Sequence, residues 1–227
     1  MNLAISADII AFTTLPDEDR RRLEKGIKGL LYDLENKFKS RNFFGRMVQG
    51  DRIECAMTEA NFGLRVMLLL KTYVKSISIS HSGSLDKRFK YFTLHGLRAA
   101  MAVAPLATID PDNGIIDGEA IYLSGRTLAS LTTYNKKKII IKQTLFFLSS
   151  DSELQNRIEP LIILIDTLLA KASAKQSEVL FYKLSGLTEK EIGNKLAKNQ
   201  STISQHSNAA GWYAIDKALN YFEKNIY

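Results

Sequence analysis

From Ser149 onward the sequence loses its strand-like runs and becomes purely helical, and this change of period divides the chain. Leu154 to Ala172 is apolar at helical spacing and reads as a connector or a dimerising helix. Residues 174–227 read as a terminal helical module. The expected division is therefore 1–148, an α/β domain; 149–173, a helical connector; and 174–227, an all-α domain.

Before Ser149 the periods alternate. Residues 2–12 begin as a buried strand. Pro16-Asp17-Glu18-Asp19 opens a helix, because proline and acids suit a first turn and its dipole. Leu23, Ile27, Leu30, Leu31 and Leu34 then recur at helical spacing. Arg46-Met47-Val48, the tight pair Gly50-Asp51 and Arg52 to Met57 predict a hairpin. Asn61 to Ser78 reads as a helix with Leu64, Met67, Leu68 and Val74 on one side. Gly96 to Ala104 is a strand of small residues, residues 110–114 a turn, Gly118 to Leu131 a helix, and Lys138 to Ile141 a last strand. The order β-α-β-β-α-β-α-β predicts an α/β sandwich with helices on a sheet.

The net charge of +7 favours an anionic partner, nucleic acid or a nucleotide phosphate. A generally basic surface is the plainer alternative. Residues 174–227 hold seven Lys/Arg against five Asp/Glu, a net of +2, so the charge is not concentrated in the tail. The single Cys55 excludes an internal disulfide and a multi-cysteine zinc site, and it reads as a small core residue. The three histidines are scattered, and His81 and His95 have no evident partner. The opening MNLAISADII has no basic stretch followed by an apolar one, and no segment is long enough to span a bilayer. A cytoplasmic protein without a membrane partner is the expectation.

The most informative segment is LTEKEIGNKLAKNQSTISQH, residues 187–206. Thr188 followed by Glu191 is a capping box. Ile192 and Leu196 give the short helix an apolar face, and Gly193 marks a close approach of a second helix. Lys198-Asn199-Gln200 is a polar break, Ser201 is placed to cap the next helix, and Ile203 points back to the core. Thr202, Gln205 and His206 are expected to face outward. With the preceding helix, Gln176 to Leu184, this resembles bacterial helix-turn-helix regulators and the promoter-reading region 4 of sigma factors. That resemblance implies a DNA partner. It assigns base contacts to Gln200, Thr202 and Gln205, phosphate contacts to Lys195, Lys198 and Ser201, and a place beside them to His206. The chain departs from the pattern at Ala197-Lys198, where glycine and an apolar residue are usual, and in its long last helix through Trp212 and Tyr221. A bundle used for dimerisation or partner binding is the other reading. Trp212, Tyr213 and Phe222 then serve as core or interface.

In the front half, SADIIAFT at 6–13, Gln-Gly-Asp at 49–51 and GEAIYLSGRTL at 118–128 resemble, in order and spacing, the class III nucleotidyl cyclase fold and small bacterial proteins of the SatD type. The resemblance implies an α/β (α+β) sandwich, ferredoxin-like and nucleotidyl cyclase-like, followed by an all-α helix-turn-helix domain. It places a nucleotide with Mg²⁺ at Asp8 and Asp51, with the backbone through Phe12 and Thr13 around the phosphates. Arg126 matches the catalytic arginine, often supplied across a dimer. Tyr122 stands where the family has a catalytic asparagine, Ile115 where it has a purine-selecting acid, and Arg46 beside the site of a purine-reading lysine. These departures point to a regulator with a non-cyclising sensor or dimerisation domain, working as a homodimer. A metal-dependent nucleotide enzyme and a pure assembly protein remain as alternatives. Asp8 and Asp51 also fit ordinary strand-end and turn chemistry, and Lys136-Lys137-Lys138 fits a solvated basic turn.

Overall fold

Leu3, Ile5, Ala7 and Ile9 fall on one side of a strand and Ala4, Ser6 and Asp8 on the other, which makes this strand a centre with two different faces. The computed structural model, which describes residues 1–79, 88–131 and 141–226, places this strand, β1 (Leu3–Ile9), in the middle of a five-stranded sheet. β1 pairs antiparallel with β3 (Arg52–Met57) on one side and β4 (Leu97–Val103) on the other. β2 (Phe44–Val48) closes one edge against β3, and β7 (Leu145–Ser149) runs parallel to β4 at the other. The order is β2-β3-β1-β4-β7. A short hairpin, β5 (Thr108–Asp110) with β6 (Ile115–Asp117), stands apart.

The helices are α1 (Asp17–Lys37), α2 (Gly63–Ser76), α3 (Phe89–His95), α4 (Glu119–Ser130), α5 (Ser152–Lys171), α6 (Ala174–Leu184), α7 (Glu189–Leu196), α8 (Gln200–Ala209) and α9 (Trp212–Asn225). The aliphatic face of β1 joins Leu23, Ile27, Leu64 and Met67 of α1 and α2 in the main core. The opposite face is built of small residues, Ala4, Ala56, Ala100 and Ala102, and α4 lies on it with Ala120 buried and Ser124 Oγ 2.9 Å from Ser6 Oγ. Gly118 enters α4 with φ +130°, and a Cβ there would stand 2.6 Å from Ala107 N, so only glycine fits this approach.

The main core does not stop where the period changes. Leu180, Leu184, Ile215, Leu219 and Phe222 belong to it, and α6 and α9 cover the outer side of α2. Consequently α2 is buried nearly all round, Val66, Leu69 and Leu70 included, rather than on one side as its spacing suggests. Arg65 fixes the junction: its Nε donates to Glu223 Oε1 at 2.7 Å and its Nη1 to Leu184 O at 3.0 Å.

A second set of charges lies inside. Lys71 is 1% exposed, and its Nζ donates to Leu97 O and Thr144 Oγ1, each at 2.6 Å. Asp166 of α5 accepts from Thr144 N at 2.6 Å, Thr144 Oγ1 at 2.5 Å and Leu145 N at 3.2 Å. Lys75 Nζ donates to Leu169 O and Ala170 O at the end of α5, where the helix dipole favours a cation. Burial lowers Lys71 to about 7 and Lys75 to about 8, against the opposing pull of Asp166.

Several elements differ from expectation. The hairpin turns through Gln49, Gly50 and Asp51, one residue longer than the expected Gly50-Asp51 pair, with Gln49 and Gly50 at positive φ. Of the expected last strand, residues 138–140 lie outside the described residues and Ile141 is in no strand; the last strand among the described residues is 145–149, whose run LFFLS carries the strand signal. Lys136, Lys137, Lys138 and His81 lie outside the described residues. The α3 helix and the β5–β6 hairpin are additions to the expected order. Among the described residues no helix is long and apolar enough to cross a membrane.

Candidate nucleic-acid interface and a carboxylate cleft

Thr188 begins α7 because two groups cap each other: Glu191 N donates to Thr188 Oγ1 at 3.3 Å and Thr188 N to Glu191 Oε2 at 2.7 Å. The helix stops at Ala197, which takes a left-handed conformation at φ 52°. Lys198 N then donates to Gly193 O at 2.9 Å, and a Cβ on Gly193 would meet Lys198 O at 2.8 Å. Glycine at 193 is thus what lets the turn fold back on α7. Val179, Ile192 and Ile203 form a small core shared by α6, α7 and α8, with Leu187 and Leu196 against it.

This packing leaves one face outward. Lys195, Lys198, Gln200, Ser201 and Gln205 are exposed, in the last turn of α7, the connecting turn and the first two turns of α8. Thr202 and His206 are only half-buried members of that face, not fully outward as expected. Ser201 does not cap α8: the N-cap position is Asn199, without a side-chain cap bond, and Ser201 is the second residue of the helix. Lys195 Nζ lies 5.4 Å from the ring centroid of Tyr182, which holds its charge near the face. Phe222 is fully buried, Trp212 is half-buried with Lys183 Nζ 5.5 Å from its ring, and Tyr213 is exposed.

The second candidate is a cleft of about 200 Å³ on the small-residue face of the sheet, lined by Asp8, Gln49, Asp51, Arg52, Arg98 and Leu128 among others. The strand register sets Arg52 and Arg98 on either side of Asp8. Ile9 N donates to Asp51 O at 3.0 Å, which ties the hairpin to the end of β1. Asp8 and Asp51 therefore do come together. Burial pushes the Asp51 carboxyl up, its backbone bond pulls it down, and the negative charge of Asp8 adds to the rise.

The other residues of the expected site are elsewhere. Phe12 is buried in the main core and Thr13 is exposed on a short 3₁₀ turn; neither lines the cleft. Arg126 is on the exposed side of α4, one turn beyond Tyr122, and α4 reaches the cleft through Leu128 and Ala129 instead. Tyr122 donates to Asp117, joining α4 to β6. The arginine in the cleft is Arg98, whose Nε donates to Asp8 Oδ1 at 3.0 Å and whose Nη2 donates to Asp8 Oδ2. Arg98 escaped the sequence reading; its one local trace is a charged residue inside the run LRAAMAV, on the face shared with Ala100 and Ala102.

Two carboxylates are the beginning of a divalent-cation site, but these residues do not fit one. Both oxygens of Asp8 accept from Arg98, and among the described residues no three His, Cys, Asp or Glu side chains gather to hold a metal. No protein-family model, curated protein or solved structure matches the chain.

Proposed function

We propose that the chain is a DNA-binding transcriptional regulator. In this reading α7 and α8 form a helix-turn-helix with α8 as recognition helix, and the sheet domain is a ferredoxin-like, nucleotidyl cyclase-like unit of SatD type that senses or dimerises without cyclising. The observation that carries it is the α7–turn–α8 pair: a capped first helix, a glycine at the crossing, and Lys195, Lys198, Gln200, Ser201 and Gln205 exposed together. The order β2-β3-β1-β4, with β1 antiparallel to both neighbours, supports the ferredoxin-like part, since a split β-α-β pair requires it. A homodimer follows from the two-fold half-sites such helices read.

A gel-shift series over a range of salt tests the proposal. Lys198→Ala weakens binding to all sequences and lowers the salt slope by about one. Gln205→Ala costs about 1–3 kcal/mol at one base position and relaxes specificity there. Absence of DNA affinity at low salt, or indifference to both changes, overturns the reading. The second reading, a nucleotide or other phosphate ligand in the cleft, draws on the meeting of Asp8 and Asp51 beside Arg52 and Arg98. Incubation with each nucleoside triphosphate and Mg²⁺ or Mn²⁺, followed by product analysis, tests it; turnover that survives Asp51→Asn removes the cleft from the reaction.

A further inference from the structure

We infer that Arg98 is the resident cation of the Asp8–Asp51 cleft: its guanidinium stands where two converging carboxylates would otherwise recruit a divalent ion, and it closes the cleft to such ions. The inference concerns the sheet domain alone and is independent of DNA binding by the tail.

Three anchors hold the guanidinium. Nε and Nη2 engage the two oxygens of Asp8 as a fork, the geometry in which an arginine–carboxylate pair is strongest. Nη1 donates to Leu131 O, at the carbonyl end of α4, where the helix dipole favours positive charge. The pair is largely shielded, with side-chain exposures of 14% for Arg98 and 26% for Asp8. Arginine cannot lose its proton in a protein, so the charge is permanent. A hard divalent ion needs several oxygen ligands at short range. Here it must first break a bidentate pair, and it then gains one further carboxylate, Asp51, in a setting that disfavours the ionised form.

The same geometry states what Arg98 prevents. Without it Asp8 and Asp51 would face one cleft as two partly buried anions, with Arg52 as the remaining lining cation. Unpaired buried carboxylates either protonate or bind a cation. Removing the guanidinium should therefore create a metal site rather than merely an empty space.

The experiment is a titration of the full chain with Mn²⁺, read by the electron paramagnetic resonance signal of the free ion. The wild type is expected to show no saturable binding. Arg98→Ala, checked for folding by circular dichroism, is expected to gain a saturable site at least about tenfold tighter than anything in the wild type. Asp51→Asn in that background is expected to abolish it. Arg98→Gln keeps a hydrogen bond to Asp8 without the charge, and it serves if the alanine variant does not fold. Saturable Mn²⁺ binding by the wild type that Asp8→Asn removes overturns the inference. So does a folded Arg98→Ala or Arg98→Gln chain that gains no site.

Discussion

Between the sheet and α5 the interior holds Lys71, Lys75, His95 and Asp166, all less than a tenth exposed. Between α6, α7 and α8 the interior is Val179, Ile192 and Ile203, with two small hydroxyls, Ser177 and Ser207, as its buried polar groups. In the tail no charged side chain is fully buried among the described residues: Glu191 caps a helix, Lys195 and Lys198 are on the outward face, and Glu223 meets Arg65 at the junction with α2. A buried charge network is expensive to form and more expensive to break, and its energy depends on pH. An apolar core costs less to build and is indifferent to pH. The sheet domain therefore carries pH-sensitive stability, and the tail spends its polar groups on whatever it touches.

The comparison is tested most severely at Asp166. Its carboxylate answers two backbone N–H groups and the Thr144 hydroxyl, and it balances Lys71 through that hydroxyl. Asp166→Ala leaves a buried cation and three donors without a partner, and it is expected to cost about 3–5 kcal/mol in urea unfolding. Lys71→Met added to Asp166→Ala should recover part of that loss, because it removes the uncompensated charge. An additive double variant would mean that the two charges are not coupled. Next in size is Ile203→Ala, which opens a cavity in the small core of the tail and is expected to cost about 2–5 kcal/mol. Its cost should be the same at pH 5 and pH 8, whereas that of Asp166→Ala should differ.

The helical elements of the tail were legible in the sequence. The helical period after Ser149, the capping box at Thr188, and the roles of Gly193 and Ile203 are local features, written within one or two turns of chain. The Asp8–Arg98 pair was not legible, because it joins residues 90 positions apart through strand register. Arg126 attracted attention by motif spacing, yet the register put Arg98 in the cleft and left Arg126 outside. The all-round burial of α2 was hidden for a related reason: its second face is covered by α6 and α9, more than a hundred residues downstream. Ser201 failed as a cap because α8 starts two residues earlier than its hydroxyl suggests.

A gentler test uses His95. Burial lowers it to about 4, reinforced by the charges of Lys71 and Lys75 and opposed by Asp166, and its Nδ1 is buried without a hydrogen-bond partner among the described residues. The unfolded chain binds this proton at 6.5 and the folded one only near 4. Between those values the unfolded state holds more protons, so stability rises with pH across that window and falls as acid is added. His95→Gln is expected to flatten the slope of unfolding free energy over that range. An unchanged slope would assign the acid sensitivity to other groups.

The smallest expected effect separates fold from function in the tail. Ala197 holds a left-handed conformation at φ 52°, at the place where such turns favour glycine. That conformation costs an alanine about 1–2 kcal/mol. Glycine escapes this cost but loses about 0.5–1 kcal/mol through the greater freedom of its unfolded chain. The balance predicts that Ala197→Gly stabilises the protein by about 0.5–1 kcal/mol, measurable as a raised urea midpoint at constant slope. Ala197 is exposed and separates α7 from the start of α8, so the change removes no contact from the small core. If DNA affinity is unchanged while stability rises, the turn serves only to join the helices. If affinity falls as well, the left-handed alanine is itself setting the angle at which α8 is presented.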